Sequence, residues 1–471
     1  MPDFDAARRL AGPALAAALA DSRERLWRCV DDLDDAQWQV PPHEGLNPIA
    51  WELGHVAWFA EFWILRGPHR VDPQGRVHAA APDRLAGPDV VFDSSRLPHA
   101  DRWRVALPSR RTLRAGLDAQ LDACLAALPE GDDDEALYFH RLALFHEDMH
   151  AEALTWLRDR LGYAPPAGLA RARATASGTG RGMAASPGAA SDPGIEASAA
   201  DGAASATDAA VAATGVAAER ATRGAAAAAP DAVATDGAAP AAPAASARPS
   251  PLRIEAQPAA LLGWPAGRPG FAFDNEHPGR RVALAPFEID AAPLVAGRFR
   301  DFVEDGGYRR PELWPGAAGA WLAAAGRTHP ERWRPCPGAA PRWEVRSFDR
   351  WEPLDARQPA VHLSAFEAEA FCRWAGRRLP RAAEWEVAAR REGFAWGGSV
   401  WEWTADDFRP YPGFRPGPYR DYSLPWFGSH RELRGGAAVT ARRMHHPAFR
   451  NFFEPHRADV FAGFRTAAAA G

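Results

Sequence analysis

Apolar residues recur every three or four positions along four segments in the first third of the chain. The segments are residues 14–33, 47–66, 109–128 and 134–161. This spacing places apolar side chains on one face of a helix, so each segment is predicted to be a helix that buries that face. Four such helices joined by loops indicate a helical bundle.

The hydrophobic pattern changes twice beyond residue 164. Residues 165–251 are almost entirely Ala, Gly, Ser, Pro, Asp and Thr. That composition buries too little apolar surface to offset the entropy of ordering the chain, so we expect a disordered linker. From residue 252 onward, short apolar stretches alternate with Gly, Pro and Trp, and residues 364–378 have the pattern of a helix. Short strands with few helices indicate an α+β domain.

The chain is therefore predicted to be multidomain, with α and α+β parts. We expect a helical domain at 1–164, a linker at 165–251 and an α+β domain at 252–471. The 471 residues suffice for two domains that each bury a core. A formal net charge of −5 and the lack of a basic block argue against nucleic acid or an anionic membrane as a partner. A small-molecule substrate fits this charge and composition better than either of those partners.

Two further features bear on where the protein works. The chain has four cysteines without CxxC spacing, which is typical of a reducing compartment, so we expect a cytoplasmic protein. No uncharged run reaches the roughly 18 apolar residues that span a bilayer. The Ala-rich start is interrupted by charges from Asp21 onward, and we interpret it as a first helix and not as a signal peptide.

The stretch "HEDMH" contains two histidines, His146 and His150, four residues apart on a predicted helix. Residues i and i+4 share a helix face, so both imidazoles can bind one ion. His55, which lies among Trp and Phe residues of the second predicted helix, is the best candidate for a third ligand. The sequence thus predicts a three-histidine metal site in the bundle.

Three neutral imidazoles suit either Fe(II) oxygen chemistry or a catalytic zinc, and ligand identity does not decide between them. The same stretch matches the HExxH pattern of zinc proteases, with Glu147 as general base, but a downstream third ligand is not evident. Two of Glu52, Glu147 and Glu152 could accept hydrogen bonds from ligand imidazoles. Because most helix glutamates face solvent, we expect these three to do so.

Longer stretches resemble a known enzyme family. "VEDGGYRRPELW", "GSVWEWTADDFRPYPGF" and "FRNFFEPHRADVFAGFRTA" resemble the domain shared by formylglycine-generating enzymes and the sulfoxide synthases of the ergothioneine pathway. "LGHVAWFAEFW" and "HEDMHAE" resemble the DinB-like domain that precedes it in those synthases. The resemblance covers both domains and implies a DinB-like four-helix bundle followed by a formylglycine-generating-enzyme-like (C-type-lectin-like) domain.

The resemblance also implies an activity. The family uses non-haem Fe(II) and O2 to join a chalcogen donor to C2 of the imidazole ring of hercynine, and its three-histidine iron site carries over to His55, His146 and His150. A catalytic tyrosine of the family stands in a "YxxYSxPFF" run. The corresponding "YRDYSLPWF" makes Tyr419 the catalytic tyrosine, with Tyr422 beside it.

The substrate-binding positions depart from the family pattern. A family "RNWD" run is "RNFF" here, which places Asn451, Phe452 and Phe453 at those positions, and Met149 replaces a common Gln. Phe453 cannot accept a hydrogen bond from a donor's amine. Arg457 aligns with a donor-binding arginine.

These departures resemble the sister branch that makes selenoneine from a selenosugar, so we favour selenoneine synthase. An ergothioneine sulfoxide synthase that uses cysteine or gamma-glutamylcysteine is the alternative. A zinc-dependent thiol transferase of the DinB type is more distant. Formylglycine generation is disfavoured because those enzymes bind copper through cysteines near the end of the domain, and no cysteine follows Cys372.

Overall fold

The computed structural model describes residues 3–83, 87–169, 251–336, 338 and 342–468. The predicted linker, 165–251, lies outside these residues except at its edges, where residues 167–169 form one helical turn. Within the described ranges, every helix is too short or too polar to cross a membrane.

Helices build the described part of the N-terminal half, close to where the hydrophobic pattern predicts them. They are α1 (Gly12–Arg28), α2 (Ile49–Ala60), a short α3 (Asp89–Phe92), α4 (Arg110–Ala126) and α5 (Tyr138–Leu161). The Ser109 side chain accepts the Thr112 N–H at 3.2 Å and caps α4. Gly162, at φ 72°, ends α5 in the left-handed conformation that glycine adopts without strain.

The end of α2 carries a feature that periodicity does not predict. Residues Glu61–Leu65 continue the helix as one π-helical turn, which shifts the direction of the side chains that follow. A two-stranded hairpin then forms from β1 (His69–Val71) and β2 (Val77–Ala79). Both segments lie beside the candidate site described below.

The C-terminal half is α+β, as predicted. Its helices are α6 (Ala296–Glu304), α7 (Ala317–Ala325), α8 (Ala365–Trp374) and α9 (Ala382–Ala388). Ser364 and Glu367 form a capping box at the start of α8, with the Ser364 N–H donating to the Glu367 carboxylate at 2.8 Å. This cap explains why the predicted helix at 364–378 begins where it does.

The strands of this half are short and form four small sheets. Their bounds are β3 (Leu252–Ile254), β4 (Gln257–Leu262), β5 (Arg280–Leu284), β6 (Phe287–Ile289), β7 (Trp333–Pro335), β8 (Trp343–Ser347), β9 (Arg350–Pro353), β10 (Arg377–Arg378), β11 (Trp401–Asp407), β12 (Arg431–Gly435), β13 (Asn451–Phe453), β14 (Ala462–Gly463) and β15 (Ala467–Ala468). The sheet orders are β10-β15-β6-β3, β13-β12-β11-β14, β4-β5 and β7-β8-β9. The second of these sheets contributes Asn451, Phe452 and Phe453 through β13.

The largest hydrophobic core extends through both halves. It contains Trp58 and Phe59 of α2, Phe145 of α5, and Phe271 and Phe273 of the C-terminal half. Smaller clusters lie within each half, but the described residues on both sides of 170–250 form one compact unit. The two halves therefore share their central aromatic side chains in addition to the smaller cluster that each half buries.

A buried ion pair joins the two halves within this core. The Arg8 guanidinium and the Glu276 carboxylate are 3.0 Å apart, and both side chains are fully buried. The same guanidinium lies over the rings of Phe145 and Phe271, at 5.1 and 5.8 Å from their centroids. Because both charges have left water, each depends on the other for compensation.

We expect Arg8→Gln to lower the free energy of unfolding by about 3 kcal/mol, since it leaves Glu276 buried without its partner. Arg9→Gln is the matched control. Arg9 pairs with Asp3 at the surface, with side chains 47% and 60% exposed, and such a pair is worth at most about 1 kcal/mol. Urea denaturation measures both variants. Equal midpoints for the two would contradict the assignment of this pair as a structural link.

Candidate metal centre

Three histidines from two helices meet inside the described part of the bundle. His55 comes from α2, and His146 and His150 come from α5. One ligand nitrogen from each lies within 4.8 Å of the other two, and the Nε2 atoms of His146 and His150 are 3.1 Å apart. Two nitrogens that bind one ion at about 2.1 Å and about 90° stand about 3.0 Å apart. The observed spacing fits that of a shared ion.

Hydrogen bonds on the far side of two rings orient these nitrogens. The His55 Nδ1–H donates to the Phe92 carbonyl oxygen at 2.7 Å, and the His150 Nδ1–H donates to the Glu52 carboxylate at 2.6 Å. Since both acceptors are oxygens, the Nδ1 atoms carry the protons and the Nε2 lone pairs are free to bind an ion. Such outer contacts fix ring orientation and strengthen the ligand as a base.

Burial keeps two of the imidazoles uncharged. It lowers the pKa of His55 to about 3, and the neighbouring His150 acts in the same direction. Burial likewise holds the pKa of His146 well below its ordinary value. Phe59 stacks on the His146 ring with centroids 3.6 Å apart, and Trp51 stacks on His55 at 4.8 Å. Neutral imidazole is the form that binds a metal, so this donor set fits Fe(II) or Zn(II).

The glutamates of these helices do not face solvent, and the expectation that they do is wrong. Glu52, Glu147 and Glu152 are 3%, 3% and 6% exposed. Glu52 contacts His150, as described above. Glu147 forms a two-point ion pair with Arg23, at 2.7 and 3.2 Å. The carboxylate that a zinc protease would need as general base is thus paired with a guanidinium, which argues against the protease interpretation of the HExxH match.

The remaining acidic residues of α5 bind the C-terminal half. The Glu152 carboxylate accepts the Trp401 Nε1–H at 2.7 Å. Asp148 accepts from the Arg443 guanidinium at 2.6 and 2.8 Å. The helix that carries two metal-ligand candidates is thus held from several sides, which fixes its rotation and the direction of both imidazoles.

Tyr419 reaches the histidines from the C-terminal half. Its ring centroid is 6.1 Å from that of His146 and 4.9 Å from that of Phe59. Burial raises the pKa of the Tyr419 phenol above its ordinary value, and the hydroxyl of Ser94 lies within hydrogen-bonding reach. The phenol therefore keeps its proton at neutral pH and can serve as a proton donor.

Tyr422, Met149 and Phe452 lie on the next layer outward. The Tyr422 ring centroid is 6.1 Å from that of Tyr419, and its hydroxyl donates to the Met149 sulfur at 3.8 Å. Phe452 is 5.9 Å from Tyr422 and stacks on Phe408 at 4.1 Å. Tyr422 therefore contacts Tyr419 directly, whereas Met149 and Phe452 are connected to Tyr419 through Tyr422.

Asn451, Phe453 and Arg457 occupy different surroundings. The Asn451 side-chain oxygen accepts the Phe452 N–H at 2.9 Å. Phe453 meets Trp156 edge to face at 5.7 Å. Arg457 lies over the Phe453 ring and is bound to the Asp459 carboxylate at 2.5 and 2.7 Å. A donor contact at Arg457 stays a prediction, since its charge is already balanced within the chain.

The sequence named Glu52 only as one of three possible acceptors for the ligand imidazoles, and it missed Phe92 and Ser94. Phe92 acts through its backbone carbonyl, and Ser94 stands in a loop, so neither has a pattern that marks it.

Comparisons with known proteins agree with this two-part organisation. The DinB superfamily model matches residues 18–157, and the sulfatase-modifying factor enzyme 1-like domain model matches residues 259–399 and 394–470. The prediction of a DinB-like domain followed by a formylglycine-generating-enzyme-like domain is confirmed.

Relatives match along most of the chain. The hercynine oxygenase of Mycolicibacterium thermoresistibile is 28% identical, with 96% of this chain and 94% of that protein covered. The hercynine oxygenase of Mycobacterium tuberculosis is 29% identical, with 96% and 98% covered. The formylglycine-generating enzyme of Streptomyces coelicolor is 28% identical over 36% of this chain and 72% of its own length. Of these three proteins, the two hercynine oxygenases are therefore the ones that are similar to this chain over nearly its full length.

We expect Glu52→Gln to weaken the binding of a divalent ion by about tenfold, because Gln keeps the shape of the His150 contact but loses its charge. Glu24→Gln on the same bundle is the control, since that side chain is 70% exposed. Competition with a chelating dye, for Zn(II) in air and for Fe(II) without oxygen, measures both affinities. Unchanged affinity in Glu52→Gln would show that this hydrogen bond does not support the centre.

Proposed function

This chain joins a DinB superfamily domain to a sulfatase-modifying factor enzyme 1-like domain, and on that premise we propose that it is an iron(II)-dependent oxygenase that acts on hercynine. The reaction joins a selenol or thiol donor to C2 of the hercynine imidazole ring. The C2–H bond and the Se–H or S–H bond break, and bonds from the chalcogen to carbon and to oxygen form. O2 supplies that oxygen and is otherwise reduced to water, so atoms and electrons balance.

One observation carries this proposal: the nitrogens of two buried histidines and one half-buried histidine from α2 and α5 lie within 4.8 Å of one another, with a protonated phenol from the other half beside them. His55, His146 and His150 would hold the ion. When bound, Fe(II) supplies the one-electron chemistry that activates O2. The relatives named hercynine oxygenase, similar over 96% of the chain, support the same substrate.

The chain's own side chains position the substrates and a proton. Tyr419 holds a proton beside the centre, and the Ser94 hydroxyl lies close enough to act on the phenol. Tyr422 and Phe452 offer aromatic faces that attract a trimethylammonium group, and the Met149 side chain of α5 contacts the Tyr422 hydroxyl. The Asn451 amide, at the start of β13, is our candidate for the substrate carboxylate. Both substrates are small molecules, as the charge and composition of the chain favour.

The selenium donor is the finer part of the proposal. Phe453 packs against Trp156 and has no atom that accepts a hydrogen bond, so a cysteine-type donor would lose an acceptor for its amine. A selenosugar has no such amine. Selenoneine synthase is therefore favoured, and an ergothioneine sulfoxide synthase that uses cysteine or gamma-glutamylcysteine is the alternative.

The direct test is oxygen consumption by protein loaded with iron without oxygen. We expect uptake that requires hercynine, with a selenosugar preferred over cysteine and gamma-glutamylcysteine when the three compete. Mass spectrometry of the product identifies the atom joined to C2. Tight zinc binding without hercynine-dependent uptake would instead support a thiol transferase of the DinB type and refute the oxygenase.

We expect Tyr419→Phe to lower the rate of product formation by about 100-fold or more, the usual contribution of a positioned proton donor. Its iron content should equal that of the wild type, because the phenol is not a ligand. Tyr163→Phe, which changes a tyrosine outside the site, is the control. Full activity in Tyr419→Phe would remove this residue from the mechanism.

A further inference from the structure

Arg102 lies on a short 3-10 turn, His99–Trp103, that packs on the loop before α2. The His99 Nε2–H donates to the Leu46 carbonyl oxygen at 2.7 Å, and the Trp103 Nε1–H donates to the Val40 carbonyl oxygen at 2.8 Å. These two hydrogen bonds flank Arg102 on both sides. They hold its half-buried side chain at the start of α2, the helix that carries His55.

A chain of three hydrogen bonds joins Arg102 to His150. The Arg102 Nη1–H donates to the Asn47 side-chain oxygen at 2.6 Å, and the Asn47 Nδ2–H donates to the Glu52 carboxylate at 2.6 Å. The other oxygen of that carboxylate accepts the His150 Nδ1–H at 2.6 Å. The Asn47 amide has one orientation in this chain, because a reversed amide would turn its oxygen to a carboxylate and its N–H to a guanidinium.

A stack of three flat groups joins the same guanidinium to His55. The Arg102 Cζ lies 3.7 Å from the centroid of the Trp51 ring. The Trp51 ring in turn lies 4.8 Å from the His55 ring, with only 8° between their planes. The Trp51 Nε1–H donates to the Val91 carbonyl oxygen at 2.7 Å. A guanidinium is attracted to the face of an indole, so Arg102 stabilises the position of Trp51 against His55.

The position of Arg102 costs the folded chain some stability. The Nε–H is buried and has no acceptor among the described residues. Burial also lowers the pKa of the guanidinium, whereas the charge of Glu52 acts to raise that pKa. A buried donor without an acceptor is uncommon in a side chain that serves stability alone. The placement of Arg102 therefore needs another reason, and the two connections to His55 and His150 supply one.

We propose that Arg102 is a positioning residue for the metal centre. Its guanidinium orients His150 through Asn47 and Glu52, and it orients His55 through Trp51. The proposal rests on the part of the proposed function that assigns an ion to the three histidines. One side chain from outside α2 and α5 thus sets the direction of two ligands that belong to different helices.

The sign of the effect on metal affinity separates positioning from a plain effect of charge. A fixed cation repels a divalent cation, so loss of the Arg102 charge would by itself strengthen the binding of an ion. Loss of a positioning residue has the opposite effect, because metal affinity falls when the outer contacts of the ligands are removed. Weaker binding after neutralisation of Arg102 therefore cannot arise from charge alone.

The first test measures Zn(II) affinity of the full chain by competition with a chelating dye. We expect Arg102→Met to weaken Zn(II) binding by about tenfold or more. Arg104→Met is the matched control and should bind as the wild type does, since Arg104 lies two positions further along with a side chain 76% exposed. Zn(II) binding in Arg102→Met that equals or exceeds that of the wild type would overturn the proposal.

A spectroscopic measurement accompanies the affinities. Visible absorption bands of bound Co(II) report the number and arrangement of its ligands. We expect these bands to shift in Co(II)-loaded Arg102→Met and to stay unchanged in Arg104→Met, because only the first variant releases two imidazoles from their orientation. Unshifted bands in Arg102→Met would mean that the ligands keep their arrangement without Arg102, which contradicts a positioning role.

Asn47→Ala tests the connection to His150 and decides the proposal if Arg102→Met fails to fold. It should weaken Zn(II) binding, whereas Gln39→Ala, which removes an exposed amide between α1 and α2, should not. In the Asn47→Ala background, Arg102→Met acts only through Trp51, so it should weaken binding by a smaller factor than in the wild type. Wild-type affinity in Asn47→Ala, or effects of the two substitutions that multiply in full, would overturn the path through Asn47 and Glu52.

Failure of the proposed function gives a different result. If the iron-loaded protein takes up no oxygen with hercynine, the oxygenase assignment is wrong, and the Zn(II) affinities of these variants still decide the role of Arg102. A wild-type protein that binds no divalent ion would overturn both.

Discussion

Three imidazole lone pairs directed at one point repel one another unless an ion lies between them, so the surrounding structure must hold them in place. The helix that must be held is α5, because it carries His146 and His150. Its Glu147 is bound to Arg23 of α1, and its Asp148 and Glu152 are bound to Arg443 and Trp401 of the C-terminal half. Because these three side chains project from different sides of the helix, α5 cannot rotate without breaking buried ion pairs or hydrogen bonds. The direction of His146 and His150 follows from that constraint.

The same arrangement makes the two halves interdependent. The histidines belong to the N-terminal half, whereas the phenol beside them and the aromatic residues beyond it belong to the C-terminal half. A shared core and the Arg8–Glu276 pair hold the halves at this distance. The bundle can thus supply the metal-ligand candidates, but the phenol beside them comes from the C-terminal half. This division explains why similarity to a relative over nearly the full chain is more informative than similarity over one domain.

The local sequence pattern was sufficient to predict the long helices and the histidine pair on one helix face. Apolar spacing placed the four long helices within a few residues, and the i, i+4 spacing put His146 and His150 on one face. Burial of Glu52 and Glu147 could not be predicted in this way, because a helix glutamate has the same local pattern whether it faces water or an arginine distant in sequence. A cavity beside Tyr419 is lined by four separate segments of the chain, so no local pattern marks it. The ion pair between Arg457 and Asp459 could not be predicted from the resemblance that suggested Arg457 as a donor contact, and that contact stays a prediction.

The central claim is that His55, His146 and His150 hold one ferrous ion. X-ray absorption spectroscopy of the iron-loaded protein tests it most directly, with His55→Ala and the exposed His78→Ala measured in parallel. The account predicts three imidazole nitrogens at about 2.1 Å in the wild type and in His78→Ala, and fewer imidazoles or little bound iron in His55→Ala. A sulfur ligand, or a spectrum that does not change in His55→Ala, would contradict it.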